Sequence, residues 1–312
     1  MSAGNDLQWY ASQSALTDPG KLGRLLDDLP AGIDELRAVA HGLVIHYRDD
    51  RPLEAGVPAE RLREIDSRYG DRMLSRLLEL QAGSLRDARP AQQRLVGCCR
   101  DVTVLMLMAA RAKGIPARGR IGFARYFVAG LGLDHEVAEV WDQDERRWRL
   151  VDAEREEDHV DPTDGTRIDP LDVPRDRFLV AGRAWQSCRS GEAEPDTFMV
   201  DPNLDLESTR GWPYLQHNLI HDLAALNKTE MLLWDAWGLA DERSTDQHDL
   251  DLLDDIARVT ASPNPAPAEL RELYNSDPRL RVPASVRSDD PLGGPPRDVS
   301  LRGLKAQPEA AS

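Results

Sequence analysis

No stretch of this sequence approaches the ~18 consecutive apolar residues that cross a bilayer as a helix. The opening MSAGNDLQWYASQS also has neither the basic nor the apolar region of a signal peptide, so a cytoplasmic protein free of membranes is expected. Cysteine is scarce: Cys98, Cys99 and Cys188 are all there is. An odd count without a secretion signal argues against a disulfide framework. Neighbouring Cys98 and Cys99 would close a strained ring, and no C-x-x-C spacing is present. Positive charge is in deficit too. With 39 Lys and Arg against 55 Asp and Glu, the net charge of −16 repels phosphate backbones and anionic membranes, which disfavours nucleic acid and membrane partners.

Metal and cofactor patterns are missing as well. His217 and His221 stand one helical turn apart but lack the H-E-x-x-H glutamate, so they read as ordinary helix residues. Adjacent Cys98 and Cys99 make a poor pair of zinc ligands, since one ion rarely takes both. The acidic run DLDLLDD (249–255) lacks the glycine and spacing of a calcium loop, and GLGLD (130–134) lacks the strand and helix of a dinucleotide site. No cofactor and no metal are expected.

What the chain does contain is core. Its 312 residues are 41% hydrophobic, enough for one large domain or two small ones. Apolar residues recur at helical spacing over 30–47 and 58–81, which predicts a helical cap over about 30–90. From Gly97 a helix runs to about Lys113 and breaks at GIP (114–116). Strand-like ARGRIGFARYFV (117–128) follows, then HEVAEVW and RWRLVDAE joined by the turn-like DQDER. A catalytic core over about 91–160 would therefore be a helix packed on an antiparallel sheet, an α+β arrangement. Helical pattern returns over 175–190, 215–238 and 249–259, an outer layer of the same domain, which would span 1–261. The proline-rich remainder, 262–312, is expected to be a disordered tail.

The run after Gly97 is apolar nearly all round, so its helix should be buried. A thiol at the start of such a helix faces orphan N–H groups and the positive end of the dipole, which favour the reactive thiolate. The competing reading makes both cysteines small buried hydrophobes. A cysteine nucleophile needs a histidine, and the histidine needs an orienting group. His135 opens the first hairpin strand and Asp152 ends the second. If Trp141 pairs with Arg147, Asp152 lies opposite Glu136 and diagonal to His135, within reach after a small register change. Arg100, Arg118 and Arg120 surround this region as solvated edge residues or as a recognition set for an acidic substrate.

GCCRDVTVLMLMAARAKGIPARGRIGF, His135 with EVAEVW, and WRLVDAE together resemble the transglutaminase-like superfamily, whose members have a papain-like cysteine fold. The more distant helices resemble those of stand-alone bacterial members. The resemblance implies that Cys99, two positions after Gly97 and two before Asp101, is the nucleophile, His135 the base and Asp152 its orienting partner. Cys98, Arg100, Glu136 and Trp141 are the candidate substrate contacts. It further implies acyl transfer on an amide or thioester, through a thioester acyl-enzyme, from a small-molecule or peptide donor to an amine or water, with a role in biosynthesis. A peptidase or deamidase of the same fold, or a catalytically silent binding protein, are the alternatives.

Overall fold

The structure, a computed structural model, describes residues 3–156, 158–241 and 243–303. The chain divides into two compact units, each discontinuous in sequence. Unit 1 takes the chain up to Arg120 together with His135–Val160 and Gly165–Pro174, and unit 2 takes Ile121–Asp134, Asp161–Asp164 and the chain from Arg175 onward.

Unit 1 opens with α1 (Ala3–Tyr10) and α2 (Ile33–Leu43). The helix predicted over 30–47 stops at Leu43 because the β-branched pair Val44 and Ile45 continues as a strand, β1 (Val44–His46). The helix predicted over 58–81 is a 3₁₀ turn (Ala59–Asp66), an extended break and α3 (Gly70–Leu80). Arg100 is the physical reason for that break. Its guanidinium takes the carbonyls of Ser67 (3.2 Å) and Arg68 (2.7 Å), which a continuous helix would have used internally. Strand β2 (Leu95–Gly97) then pairs in parallel with β1 and sets His46 beside Gly97.

The central helix α4 (Cys99–Ala112) is where the sequence predicts it. Gly114, at φ +73°, closes it: its N–H reaches the Arg111 carbonyl and that of Ile115 reaches Ala110, each at 3.0 Å. Those two bonds are a Schellman ending, which only a residue at ease in the left-handed region supplies cheaply. Val104, Met106, Leu107, Met108 and Ala110 are fully buried among Leu36, Ala40, Met73 and Leu77 of α2 and α3 and Ala138, Val140 and Val151 of the sheet. Apolar side chains all round the helix are what this sandwich requires.

The sheet of unit 1 has the order β5-β4-β3, from β3 (Ala117–Ala124), β4 (Gly132–Asp142) and β5 (Arg147–Val151), of which β3 and β4 run on into unit 2. The β4–β5 register differs by one from the expected one: Trp141 faces Trp148 and Asp142 faces Arg147. The turn decides it. Asp142 Oδ1 accepts the N–H groups of Asp144 and Glu145 at 2.8 Å, and Arg146 turns at φ +53°, so residues 143–146 form the loop. Continuing the ladder puts Asp152 opposite Val137, on the face of His135, whereas the expected register puts it on the other face.

Arg118, Arg120 and Glu139 are 1%, 0% and 0% exposed, so neither arginine is the edge residue or substrate contact considered from sequence. Glu139 Oε2 accepts from Arg118 at 2.7 Å and from Arg120 at 3.2 Å, and Trp148 lies 4.0 Å beneath the Arg118 guanidinium.

Unit 2 pairs the end of β3 with β6 (Phe178–Val180) and the start of β4 with β7 (Phe198–Met199). Its helices are α5 (Ala181–Arg189), α6 (Gly211–Leu226), α7 (Gln247–Thr260) and α8 (Pro267–Ser276). Asp134, the residue before His135, is held by α6 through Tyr214 Oη (2.7 Å) and Asn218 Nδ2 (2.8 Å). A second sheet joins β8 (Asp235–Ala236), β9 (Ser285–Ser288) and β10 (Arg297–Ser300). The tail expected to be disordered from 262 is thus folded as far as 303, and 304–312 lie outside the described residues. Two of its prolines, Pro267 and Pro278, open α8 and the 3₁₀ turn Pro278–Leu280, while Leu270, Leu280 and Val286 are buried.

Removing Glu139 takes a buried carboxylate partner from two buried guanidinium groups, so Glu139→Ala should lower unfolding stability by about 3–5 kcal/mol. Urea denaturation reads this directly; a loss below about 1 kcal/mol, the worth of an exposed pair, would contradict the buried cluster.

Candidate active site

The start of α4 is built around Asp101. Its Oδ2 accepts the backbone N–H of Cys98 at 2.9 Å, and its Oδ1 takes Arg100 at 3.1 Å. This is the reach of an N3 carboxylate back to the N-cap, and it makes Cys98 the cap and Cys99 the first helical residue. Gly97 is needed for space, since a Cβ there would lie 2.7 Å from Asp101 Oδ2 and 3.0 Å from Val44. Cys99 is 6% exposed and sits where the helix dipole favours an anion. Cys98 differs. A hydrogen bond with Cys99 lowers its pKa, but burial and the Asp101 carboxylate outweigh this and push the Cys98 thiol up, away from the reactive form.

His135 comes to this helix start from β4, and its contacts are those of an oriented imidazole. Nε2 donates to Asp152 Oδ2 at 2.9 Å, with both side chains at most 2% exposed. Asp152 is itself fixed: Oδ1 accepts the N–H groups of Glu154 (3.0 Å) and Arg155 (3.2 Å), and its own N–H donates to Pro170. The same turn folds Glu154 back over the site, with Oε2 at 3.9 Å from His135 Nδ1. Donor atoms of Cys99, His135 and Glu154 all lie within 4.8 Å of one another. Burial alone would lower the pKa of His135; the charge and hydrogen bond of Asp152, then the charge of Glu154, overcome it and leave the pKa raised above its ordinary value.

The sequence-predicted triad residues Cys99, His135 and Asp152 therefore meet. The predicted substrate contacts fare otherwise. Arg100 is 0% exposed and committed to Asp101 and to two backbone carbonyls, which makes it an anchor for the helix start. Glu136 is buried on the strand face away from His135, and its carbonyl accepts from Thr103 Oγ1 at 3.0 Å. Trp141 lies six positions along β4 from His135, roughly 20 Å away, where it packs on Trp148 and lines a separate cleft with Ile33, Val140 and Leu171. Cys98 stays beside Cys99 as the cap. His217 and His221 belong to unit 2 and bond to the carbonyls of Leu233, Ala240 and Asp235 in a stacked aromatic row, as helix residues in a core do.

Glu154 was missed, although it stands two residues after Asp152 in WRLVDAE. His46 and Asp49 were missed too: each offers a donor atom within 4.8 Å of Glu154 and of the other. The only signal for His46 was Val44-Ile45, a strand-forming pair inside a helical reading. Tyr47 follows, its hydroxyl pushed up to about 12 chiefly by burial, with the two cysteines among the charges it feels.

A histidine with a raised folded pKa stabilises the fold fully below its unfolded value, about 6.5, and that stability is lost as pH rises through the folded value. The His135 ring protons, followed by NMR, should titrate with a midpoint above about 6.5, and Asp152→Asn should move it downward. A wild-type midpoint at or below the ordinary value would contradict the pairing.

Residues 56–153 match the family model described as the Transglutaminase-like superfamily. A search of curated proteins returned no match. Among solved structures, one described as a "putative cysteine protease" from Cytophaga hutchinsonii is similar at 15% identity with a TM-score of 0.34, over 58% of this chain. The chain spans 46% of that structure's length. The similarity to that superfamily covers residues 56–153, and the chain's fold is α+β.

Proposed function

We propose that this chain catalyses cysteine-dependent acyl transfer on an amide or thioester. The observation that carries the reading is the buried line from Cys99 at the start of α4, through the His135 ring, to Asp152 at 2.9 Å. Nδ1, the ring nitrogen away from Asp152, takes the thiol proton of Cys99. The Sγ thiolate attacks the carbonyl carbon, and the tetrahedral oxyanion draws on the N–H of Cys99, one of the orphan donors of a helix first turn. His135 then returns the proton to the departing amine or thiol as the C–N or C–S bond breaks, leaving a thioester on Cys99. An incoming amine or water passes its proton to His135 and attacks that thioester, the C–S bond breaks, and an amide or acid leaves. Asp152 holds the imidazole in the right tautomer and balances its charge in between.

The donor is a small molecule or peptide and the acceptor an amine or water. A net charge of −16 weighs against nucleic acid as a partner. Among the described residues no helix is long and apolar enough to cross a membrane.

Intact-protein mass spectrometry, after incubation with a panel of simple acyl thioesters and glutamine-containing peptides, should show an adduct with the mass of the acyl group. Cys98→Ala should keep it and Cys99→Ala should lose it. An adduct that survives Cys99→Ala, or none from any donor, would overturn the proposal. Product analysis then separates transfer from hydrolysis, since an added primary amine is incorporated only in the first.

A further inference from the structure

Glu154 plays no part in that scheme, yet its placement is unusual. Its side chain is 10% exposed. One carboxylate oxygen, Oε1, is held by Arg155. The other, Oε2, is buried without a hydrogen-bond partner and turns toward His135. A buried carboxylate oxygen without a hydrogen-bond partner is unfavourable, so a site that keeps one there invites a cation. The neighbours are the right ones for a metal: a thiol and an imidazole nitrogen, with all three donor atoms within 4.8 Å of one another.

We propose that Cys99 Sγ, His135 Nδ1 and Glu154 Oε2 form a three-ligand site for a thiophilic divalent cation, zinc above all, and that its binding masks the nucleophile. Zinc bonds of ~2.0–2.3 Å bring tetrahedral ligand atoms to ~3.5 Å from one another. The 3.9 Å between His135 and Glu154 is already near that, and side-chain rotation closes the rest. The outer shell is also in place: the second ring nitrogen of His135 bonds Asp152, the carboxylate–histidine–metal arrangement that fixes tautomer and direction. Cys99 would bind as the thiolate with loss of its proton, a water would take the fourth position, and nothing is oxidised or reduced. Hard cations such as calcium and magnesium have no place in a set with one thiolate and one imidazole. Binding follows from geometry alone; only its inhibitory consequence rests on the acyl-transfer reading.

The test is a cobalt(II) titration of the full chain, reduced and freed of metal by chelator. We expect one equivalent to bind with a thiolate-to-cobalt charge-transfer band that zinc displaces. Cys98→Ala should retain the band and Cys99→Ala abolish it. Asp152→Asn should weaken binding by about 10- to 100-fold, the usual effect of losing an outer partner, and Glu154→Gln by more. Circular dichroism establishes that each variant is folded; a folded Glu154→Gln that binds cobalt as tightly as the wild type, or a band that persists in Cys99→Ala, overturns the site. Zinc should further protect Cys99 from alkylation, reversed by chelator. Absence of protection with an acyl adduct still formed sinks this inference alone, and metal binding without any adduct sinks only the acyl-transfer reading.

Discussion

The bond from the Cys98 N–H to the Asp101 carboxylate, at 2.9 Å, is the contact on which the rest depends. It starts α4 at Cys99, and so makes Cys98 the cap and Cys99 the first helical residue. Everything around serves that bond. Gly97 leaves room for the carboxylate, Arg100 holds its other oxygen, and the same guanidinium interrupts the helix predicted over 58–81 by taking two of its carbonyls. Burial of α4 on every side then makes the position rigid.

From there the chemistry follows from two turns. The hairpin loop at 143–146 sets the register that brings Asp152 to the His135 face, and the turn after β5 lets Asp152 bond its own following N–H groups while presenting Oδ2 to His135. That second turn also carries Glu154 back over Cys99 and His135. One short segment thus supplies both the orienting carboxylate and a second one whose free oxygen the acyl-transfer scheme does not use.

Much of this was legible beforehand. The apolar run after Gly97, the GIP exit and the alternating hairpin located α4, β4 and β5, because each rests on local chemistry: a cap, a glycine in the left-handed region and a period of two. The register could not be read, since it turned on which side chain of DQDER capped the loop, and a slip of one residue changes the face of Asp152. Arg100, Arg118 and Arg120 were misjudged for a different reason. An arginine looks solvated until its buried partner is known, and Glu139 lies 19 residues beyond Arg120. The folded region after 262 was misread because proline content suggests disorder, whereas here two of the prolines open helical turns over buried leucines.

The central claim is that Cys99 and His135 act as one unit, and alkylation tests it most directly. In a Cys98→Ala background the iodoacetamide rate at Cys99, followed across pH by peptide mass spectrometry, should report a thiolate that forms well below the free-thiol value of about 8.5. His135→Ala should move that transition upward and slow labelling at neutral pH. An unperturbed profile in the parent, or the same profile in both proteins, would contradict the account.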